Sequence, residues 1–183
     1  RRAHALSFWQ LPDRGVRPDA DLVQRIAVAI DAQGADWLLA PSPFEVHPDH
    51  RATCVAAIQA ASGATARRVR LGFYEVGQPL MPNGLLDISA VVARKRQAMR
   101  CFASQLAQQR YDEQIDGLNR YRAYTLGAGT THAEAYWFPE ADERAGVAAT
   151  LRGLVKQLAR RFGVQAMALA PAEPDLDPKK RTP

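Results

Sequence analysis

Short apolar runs alternate with helix-like stretches along this chain, and that alternation restricts the fold more than any other feature. Residues 19–33 carry apolar side chains at helical spacing and are followed by Gly34, which is typical of a helix C-terminus. DWLLA at 36–40 and VRLGFYEV at 69–76 predict buried strands, and the alanine-rich stretch between them predicts a helix closed by Gly63. Strands alternating with helices imply an α/β fold with a mostly parallel sheet covered on both faces. Ligands of such sheets bind beyond the carboxyl ends of the strands.

The second half of the chain continues with helices around one ambiguous segment. Asp87 follows a turn-rich PLMPNG loop and is placed to cap a helix over residues 88–108. A further helix is predicted over residues 111–124. THAEAYWF at 131–138 predicts either a short strand or an extended edge. Residues 143–162 are amphipathic and predict a helix.

Composition favours one domain of moderate size. With 183 residues and 47% hydrophobic content the chain can bury one sizeable core, so we predict a domain over 1–163 and a disordered, proline-rich tail over 164–183. The net charge of +5 favours anionic partners in general. No apolar run reaches the length that spans a bilayer. Cys54 and Cys101 fall in helix-like patterns, which predicts buried thiols in a reducing, cytoplasmic compartment.

The stretch PSPFEVHPDHRA at 41–52 places two of the four histidines three residues apart, directly after a predicted strand. Pro48 suits the first helical position, which makes His47 the N-cap and His50 the third helical residue. Both imidazoles then face one pocket. A helix N-terminus favours their neutral form, which binds a metal or polarises a carbonyl. The negative charge of Asp49 is also favourable at a helix N-terminus, and its carboxylate is able to accept a hydrogen bond from a ring N–H.

On spacing alone the chemistry of these residues stays open. An H-x-x-H pair at a helix start also fits ordinary capping, and a catalytic zinc takes about three protein ligands, more than this span supplies. Elsewhere, His132 is interpreted as a surface residue and not a ligand. Glu134 is either a salt-bridged structural carboxylate or a contact to a sugar hydroxyl. Core positions are predicted for the three tryptophans, Trp9, Trp37 and Trp137.

The residues on both sides of the two histidines carry more information than the spacing of the histidines alone. WLLAPSPFEVHPDHRATCVAAIQAA resembles the second signature of the PIG-L/LmbE-like deacetylases, in which a strand and a short loop precede H-P-D-H-R-A and a helix of small residues. Further matches follow in the family's order: YEVGQPLMPNGLLDIS, Lys95, SQL at 104–106 and AEAY at 133–136. LPDRG at 11–15 resembles the family's aspartate-glycine turn. The resemblance covers residues 11–138.

This resemblance implies a Rossmann-like three-layer fold and zinc-dependent hydrolysis of an N-acetyl group from an N-acetylglucosamine-type amino sugar or glycoconjugate. It implies that His50 is a Zn²⁺ ligand, that His47 stabilises the oxyanion or acts as general acid, and that Asp49 orients and charge-supports the His47 imidazole. Zinc then polarises the amide carbonyl and activates water.

The sequence departs from the family at one point. The family's H-P-D-D-E signature, which supplies two further zinc ligands and the presumed base, does not occur in these residues. We therefore interpret the chain as the carboxyl-terminal part of a deacetylase, truncated at its N-terminus and inactive alone. The runner-up hypothesis is a non-enzymatic basic module that binds nucleic acid or another anionic polymer, suggested by the pI near 9.6.

Overall fold

The computed structural model of this chain describes residues 5–64 and 69–139. The predicted helix at 143–162, the predicted tail at 164–183 and the predicted domain boundary at residue 163 lie outside these residues. Within the described part, no helix is long and apolar enough to cross a membrane.

Four strands form one mixed sheet: β1 (Trp37–Pro41), β2 (Arg70–Tyr74), β3 (Gly84–Asp87) and β4 (Ala133–Trp137). Their order is β1-β2-β4-β3, with β1 parallel to β2 and β4 antiparallel to both of its neighbours. The α/β prediction is confirmed, but the mostly parallel sheet is wrong. Within the predicted segment 131–138, residues Ala133–Trp137 form β4, which lies between β2 and β3 and is therefore an inner strand and not an edge.

Five α-helices lie among the described residues: α1 (Ala20–Gln33), α2 (Pro48–Gln59), α3 (Val92–Arg100), α4 (Ala103–Leu106) and α5 (Tyr111–Arg122). α1 has the termini that its sequence predicts. The Asp19 carboxylate accepts a hydrogen bond from the Leu22 N–H at 3.0 Å, and Gly34 adopts a left-handed φ of 56° beyond the last turn. α2 continues into a π-helical turn over Ala60–Ala64, and α5 into a 3-10 turn over Ala123–Thr125.

The predicted helix over 88–108 is wrong at its start and in its length. Asp87 is the last residue of β3, opposite Ala133 of β4, and caps no helix. Its carboxylate accepts hydrogen bonds from the Ser89 N–H at 2.8 Å and from the Thr130 hydroxyl at 3.2 Å. Strand pairing with β4 therefore decides the conformation of this segment, and helix α3 begins only at Val92.

Helices lie on both faces of the sheet. Residues alternate between faces along a strand, and α2 packs on the face that carries Leu71, Phe73 and Ala135 in one buried cluster. Tyr74, Glu134 and Tyr136 belong to the opposite face and line a cleft with residues of α5. α1 packs on α2 through a second buried cluster, which comprises Leu22, Ile26, Ala27, Ile30, Ala56, Ala60 and Val69.

Several predicted core positions are corrected by the observed exposure. Cys54 is buried as predicted, and burial raises the pKa of its thiol, but Cys101 is exposed. Trp137 packs on Phe73 with ring centroids 5.4 Å apart. Trp37 lies on the edge strand β1 and keeps 42% of its surface exposed, so it is not a core residue, and Trp9 is partly exposed as well.

Candidate functional site

The two histidines of the H-P-D-H stretch lie where the sequence places them, at the start of α2 and beyond the carboxyl end of β1. His47 is the N-cap with an extended backbone, and Pro48 occupies the first helical turn. The His47 and His50 rings are adjacent, with centroids 5.0 Å apart. Each side chain is about one third exposed, so both are partly accessible to solvent.

The His47 ring is held by the backbone of its own helix. Its Nδ1 accepts a hydrogen bond from the Asp49 N–H at 3.3 Å, which fills one of the unpaired donors of the helix N-terminus. A neutral ring that accepts at Nδ1 carries its proton on Nε2. That Nε2 lies 3.5 Å from the Asp13 carboxylate.

The Asp49 carboxylate connects α2 to the segment that precedes α1. Oδ2 accepts a hydrogen bond from the Arg14 N–H at 2.8 Å, and Oδ1 accepts one from the Val16 N–H at 3.2 Å. The same carboxylate lies 3.9 Å from His47 Nδ1. Asp49 therefore fixes the loop at 13–16 over the helix N-terminus, while its backbone N–H orients the imidazole.

Among the described residues, Asp13, His47 and Asp49 form a group of side chains that could hold a metal ion. Each offers one ligand atom, and these atoms lie within 4.8 Å of one another. Nitrogen and carboxylate oxygen donors are the types that zinc accepts. Asp13 is highly exposed and was not predicted as a site residue, although it belongs to the LPDRG turn quoted above. His50 is not part of this group.

Glu45 is a further candidate site residue, and it was not predicted from the sequence. It is buried, with only 3% of its surface exposed, two residues ahead of His47. Burial by itself would raise its pKa, but the neighbouring His50 imidazole and hydrogen bonds from the backbone N–H groups of Val76, Gly77 and Gln78 outweigh burial and lower the pKa. The Glu45 side chain is therefore an ionised carboxylate beside His50. The available signal was a charged residue, the only one in the stretch PSPFEV.

A second polar region lies over the opposite face of the sheet. An open cleft with about 80 Å³ of space for water is lined by side chains of β2, β4, α3 and α5. Glu134 accepts a hydrogen bond from Lys95 Nζ at 2.5 Å and another from the Tyr136 hydroxyl at 2.8 Å. The interpretation of Glu134 as a salt-bridged carboxylate agrees with these contacts. Burial and the Glu134 charge raise the pKa of Tyr136.

The Glu134→Gln substitution should reduce stability in a pH-dependent manner. Burial raises the pKa of Glu134, but the hydrogen bonds from Lys95 and Tyr136 bring it below the usual value of 4.5. A group whose pKa is lower in the folded state stabilises the fold above its unfolded pKa, and this contribution is lost as the pH falls through the folded value. The difference in free energy of unfolding between the wild type and Glu134→Gln should therefore be largest near neutral pH and shrink below pH 4.5. Urea unfolding of both proteins across this range measures it, and a difference independent of pH would contradict the expectation.

His132 is not the surface residue that the sequence suggested. Only 5% of it is exposed, because it lies at the start of β4 under α3 and α5. Its Nε2 lies 3.2 Å from an Arg96 guanidinium nitrogen and 3.4 Å from Asp116 Oδ1. His132 therefore belongs to a polar cluster between helices, apart from the group formed by Asp13, His47 and Asp49.

Comparisons with known proteins identify the fold but not the family. No protein-family model matches the chain, and no curated protein matches it significantly. Among solved structures, the chain is similar to the conserved protein TT1542 from Thermus thermophilus, with 28% identity and a TM-score of 0.61 over 71% of this chain and 63% of that one. It is also similar to GalB, the 4-carboxy-2-hydroxymuconate hydratase from Pseudomonas putida KT2440, with 22% identity and a TM-score of 0.56 over 74% of this chain and 65% of that one.

A third similar structure is that of the zinc-inhibited form of the teicoplanin deacetylase Orf2, with 20% identity and a TM-score of 0.50 over 64% of this chain and 49% of that one. At such identities the similarity establishes the fold alone. The chain spans less than two thirds of the length of each of these three proteins. The fold is thus shared with a hydratase and a deacetylase.

Proposed function

We propose that His47, Asp49 and His50 belong to the site of a zinc-dependent deacetylase that hydrolyses the N-acetyl group of an N-acetylglucosamine-type amino sugar. The observation that carries this proposal is the pair of adjacent, partly exposed imidazoles at the N-terminus of α2. This pair lies in the stretch H-P-D-H-R-A that resembles the deacetylase signature. The fold is consistent with the proposal, because it occurs in a deacetylase.

The donor atoms of the described residues fit zinc in type. His50 would hold the ion through a ring nitrogen, because its Nδ1 is buried against Glu45 while a third of the side chain stays accessible. A catalytic zinc takes about three protein ligands. His50 supplies one, and the H-P-D-D-E signature that would supply two more is absent from the printed sequence. When bound, zinc polarises a carbonyl and activates water at neutral pH.

His47 would stabilise negative charge on the oxygen of the amide. Its Nδ1 is engaged by the Asp49 N–H, which leaves the proton of the neutral ring on Nε2. A donor fixed in place before the reaction stabilises an oxyanion more than a mobile one, because no reorganisation is needed. Asp49 would act as a positioning residue, since its backbone N–H holds this ring and its carboxylate holds the loop at 13–16.

We expect the isolated polypeptide to show no measurable deacetylation of N-acetylglucosamine derivatives, because the printed sequence lacks the signature that supplies the base. Zinc binding is therefore the better test. The His50→Ala variant should bind zinc at least about tenfold more weakly than the wild type in a competition titration with a chelating dye. Both proteins should carry Cys101→Ser, which removes an exposed thiol that could bind zinc by itself.

The Asp13→Ala variant is the matched comparison. It removes a carboxylate from the group that Asp13 forms with His47 and Asp49 but leaves His50 intact. We expect it to change zinc affinity less than His50→Ala does. Unchanged affinity in His50→Ala together with a large loss in Asp13→Ala would place the ion on the other group and contradict the proposed role of His50.

The alternative function, binding of nucleic acid or another anionic polymer, stays a prediction. Several basic side chains of the described residues are engaged within the chain. Arg96 and Arg120 both pair with Asp116, and Arg122 pairs with Glu75. These pairs reduce the basic surface that remains for a polyanion, so they do not favour this alternative.

A further inference from the structure

Glu45 lies in a ring of backbone donors at the carboxyl end of β2. Its Oε1 accepts hydrogen bonds from the N–H groups of Val76, Gly77 and Gln78 at 2.8, 3.2 and 3.3 Å, respectively. Its Oε2 accepts a second bond from the Gly77 N–H at 3.0 Å. Successive backbone N–H groups of this kind form a concave anion site. The carboxylate is thereby fixed in position, although it is buried.

Besides the Gly77 N–H, Glu45 Oε2 has the His50 ring as a neighbour. His50 Nδ1 lies 3.5 Å from this oxygen, is buried, and has no hydrogen-bond partner among the described residues. The side chain as a whole is nevertheless 33% exposed. The accessible part of the ring is therefore the part away from Nδ1. A buried ring nitrogen that faces a fixed carboxylate is stabilised when it carries a proton, because the N–H then points at a negative oxygen.

We propose that Glu45 is a positioning residue that keeps the proton of the neutral His50 ring on Nδ1 and leaves Nε2 as the nitrogen that binds a cation. The assignment rests on the zinc site proposed above for the use of Nε2, but not for the position of the proton. A carboxylate that accepts a hydrogen bond from the second nitrogen of a metal-binding histidine fixes both its tautomer and its orientation. Glu45 is the carboxylate in this position, and its hydrogen bonds to the backbone N–H groups at 76–78 prevent its side chain from rotating.

The Glu45→Gln substitution tests this role because an amide has one acceptor oxygen in place of two. Three backbone N–H groups converge on Oε1, so the amide oxygen should stay with them. The amide NH₂ then replaces Oε2 beside His50 and donates to Nδ1. A neutral ring that accepts at Nδ1 carries its proton on Nε2, so the substitution should reverse the tautomer and block the nitrogen that binds the cation.

Two-bond proton–nitrogen correlation spectra of the metal-free protein show which ring nitrogen carries the proton, and a His50→Asn spectrum assigns the signals. The wild type should show His50 protonated on Nδ1, and Glu45→Gln should show it protonated on Nε2. Zinc titrated into Glu45→Gln should bind about 10–100-fold more weakly than to the wild type. Glu134→Gln is the matched control, since it makes the same change in a partly buried carboxylate whose hydrogen bonds come from Lys95 and Tyr136. It should leave both readouts unchanged.

The outcomes separate this inference from the proposed function. A wild-type His50 protonated on Nε2 would overturn the role of Glu45, and this reading holds even if Glu45→Gln fails to fold. A tautomer that is the same in the wild type and in folded Glu45→Gln would overturn it as well. The expected switch of tautomer in a wild-type chain that binds no zinc would support the role of Glu45 and count against the zinc site.

Discussion

The Phe73→Ala substitution should lower the free energy of unfolding by about 3–5 kcal/mol. Phe73 lies on β2, between its partners Ala40 of β1 and Trp137 of β4, and has no exposed surface. Its side chain belongs to the cluster between the sheet and α2, where it meets Trp137. Truncation removes apolar contacts and leaves a cavity that the paired strands on both sides prevent from collapsing.

Urea unfolding followed by circular dichroism measures this loss. Phe102→Ala is the matched control, because Phe102 lies between α3 and α4 with 57% of its surface exposed. Its truncation should cost less than about 1 kcal/mol, since little of the side chain leaves water on folding. Equal losses in the two variants would mean that the sheet and α2 do not form the stabilising core.

Local sequence signals predict the first half of the fold well. The boundaries of α1 follow from its two end signals, an Asx cap at Asp19 and a glycine in the left-handed region at Gly34. The N-terminus of α2 follows from Pro48 after a capping histidine. These signals act between residues fewer than five positions apart, so the sequence alone contains the physical cause.

The sheet could not be predicted in the same way because its pairings are long-range. β3 is a four-residue strand whose partner, β4, begins 46 residues after β3 ends, as the pairing of Asp87 with Ala133 shows. Asp87 has the side chain of a good helix cap, and only its pairing with β4 makes it a strand residue. The antiparallel direction of β4 follows from this tertiary arrangement, which a pattern of alternating elements does not contain.

The same distinction applies to the site. The adjacency of His47 and His50 is a property of one helical turn, so it follows from the sequence. Glu45 acquires its role from backbone N–H groups 31 to 33 residues away, at 76–78. No local pattern marks a carboxylate that is satisfied by the backbone of another loop, and a single charged residue in the stretch PSPFEV is the most that the sequence offers.

The loop that supplies those N–H groups depends on a nearly buried ion pair, and this dependence gives the second large expected effect. Arg122, at the end of α5, pairs with Glu75, and their side chains are only 11% and 6% exposed. Arg122 also donates to the Leu80 carbonyl at 2.8 Å, while Glu75 accepts from the Leu80 N–H at 2.8 Å. Both ends of the loop at 75–80 are thus held by two side chains.

The Arg122→Ala substitution should therefore lower the free energy of unfolding by about 3–5 kcal/mol, because it leaves the Glu75 charge buried without its partner. Arg120→Ala, which removes a 64% exposed arginine from the same helix, should cost about 1 kcal/mol or less. Urea unfolding compares the two variants.

Arg122→Met combined with Glu75→Leu should lose less stability than Arg122→Ala alone, since no unpaired charge then stays buried. The zinc affinity of Arg122→Ala should be measured under conditions in which the variant is still folded. If the loop at 75–80 loses its shape, Glu45 loses its backbone donors and no longer holds His50. The zinc affinity should then fall along with the stability. A large loss of stability with unchanged zinc affinity would show that the loop keeps its donors in place without the ion pair.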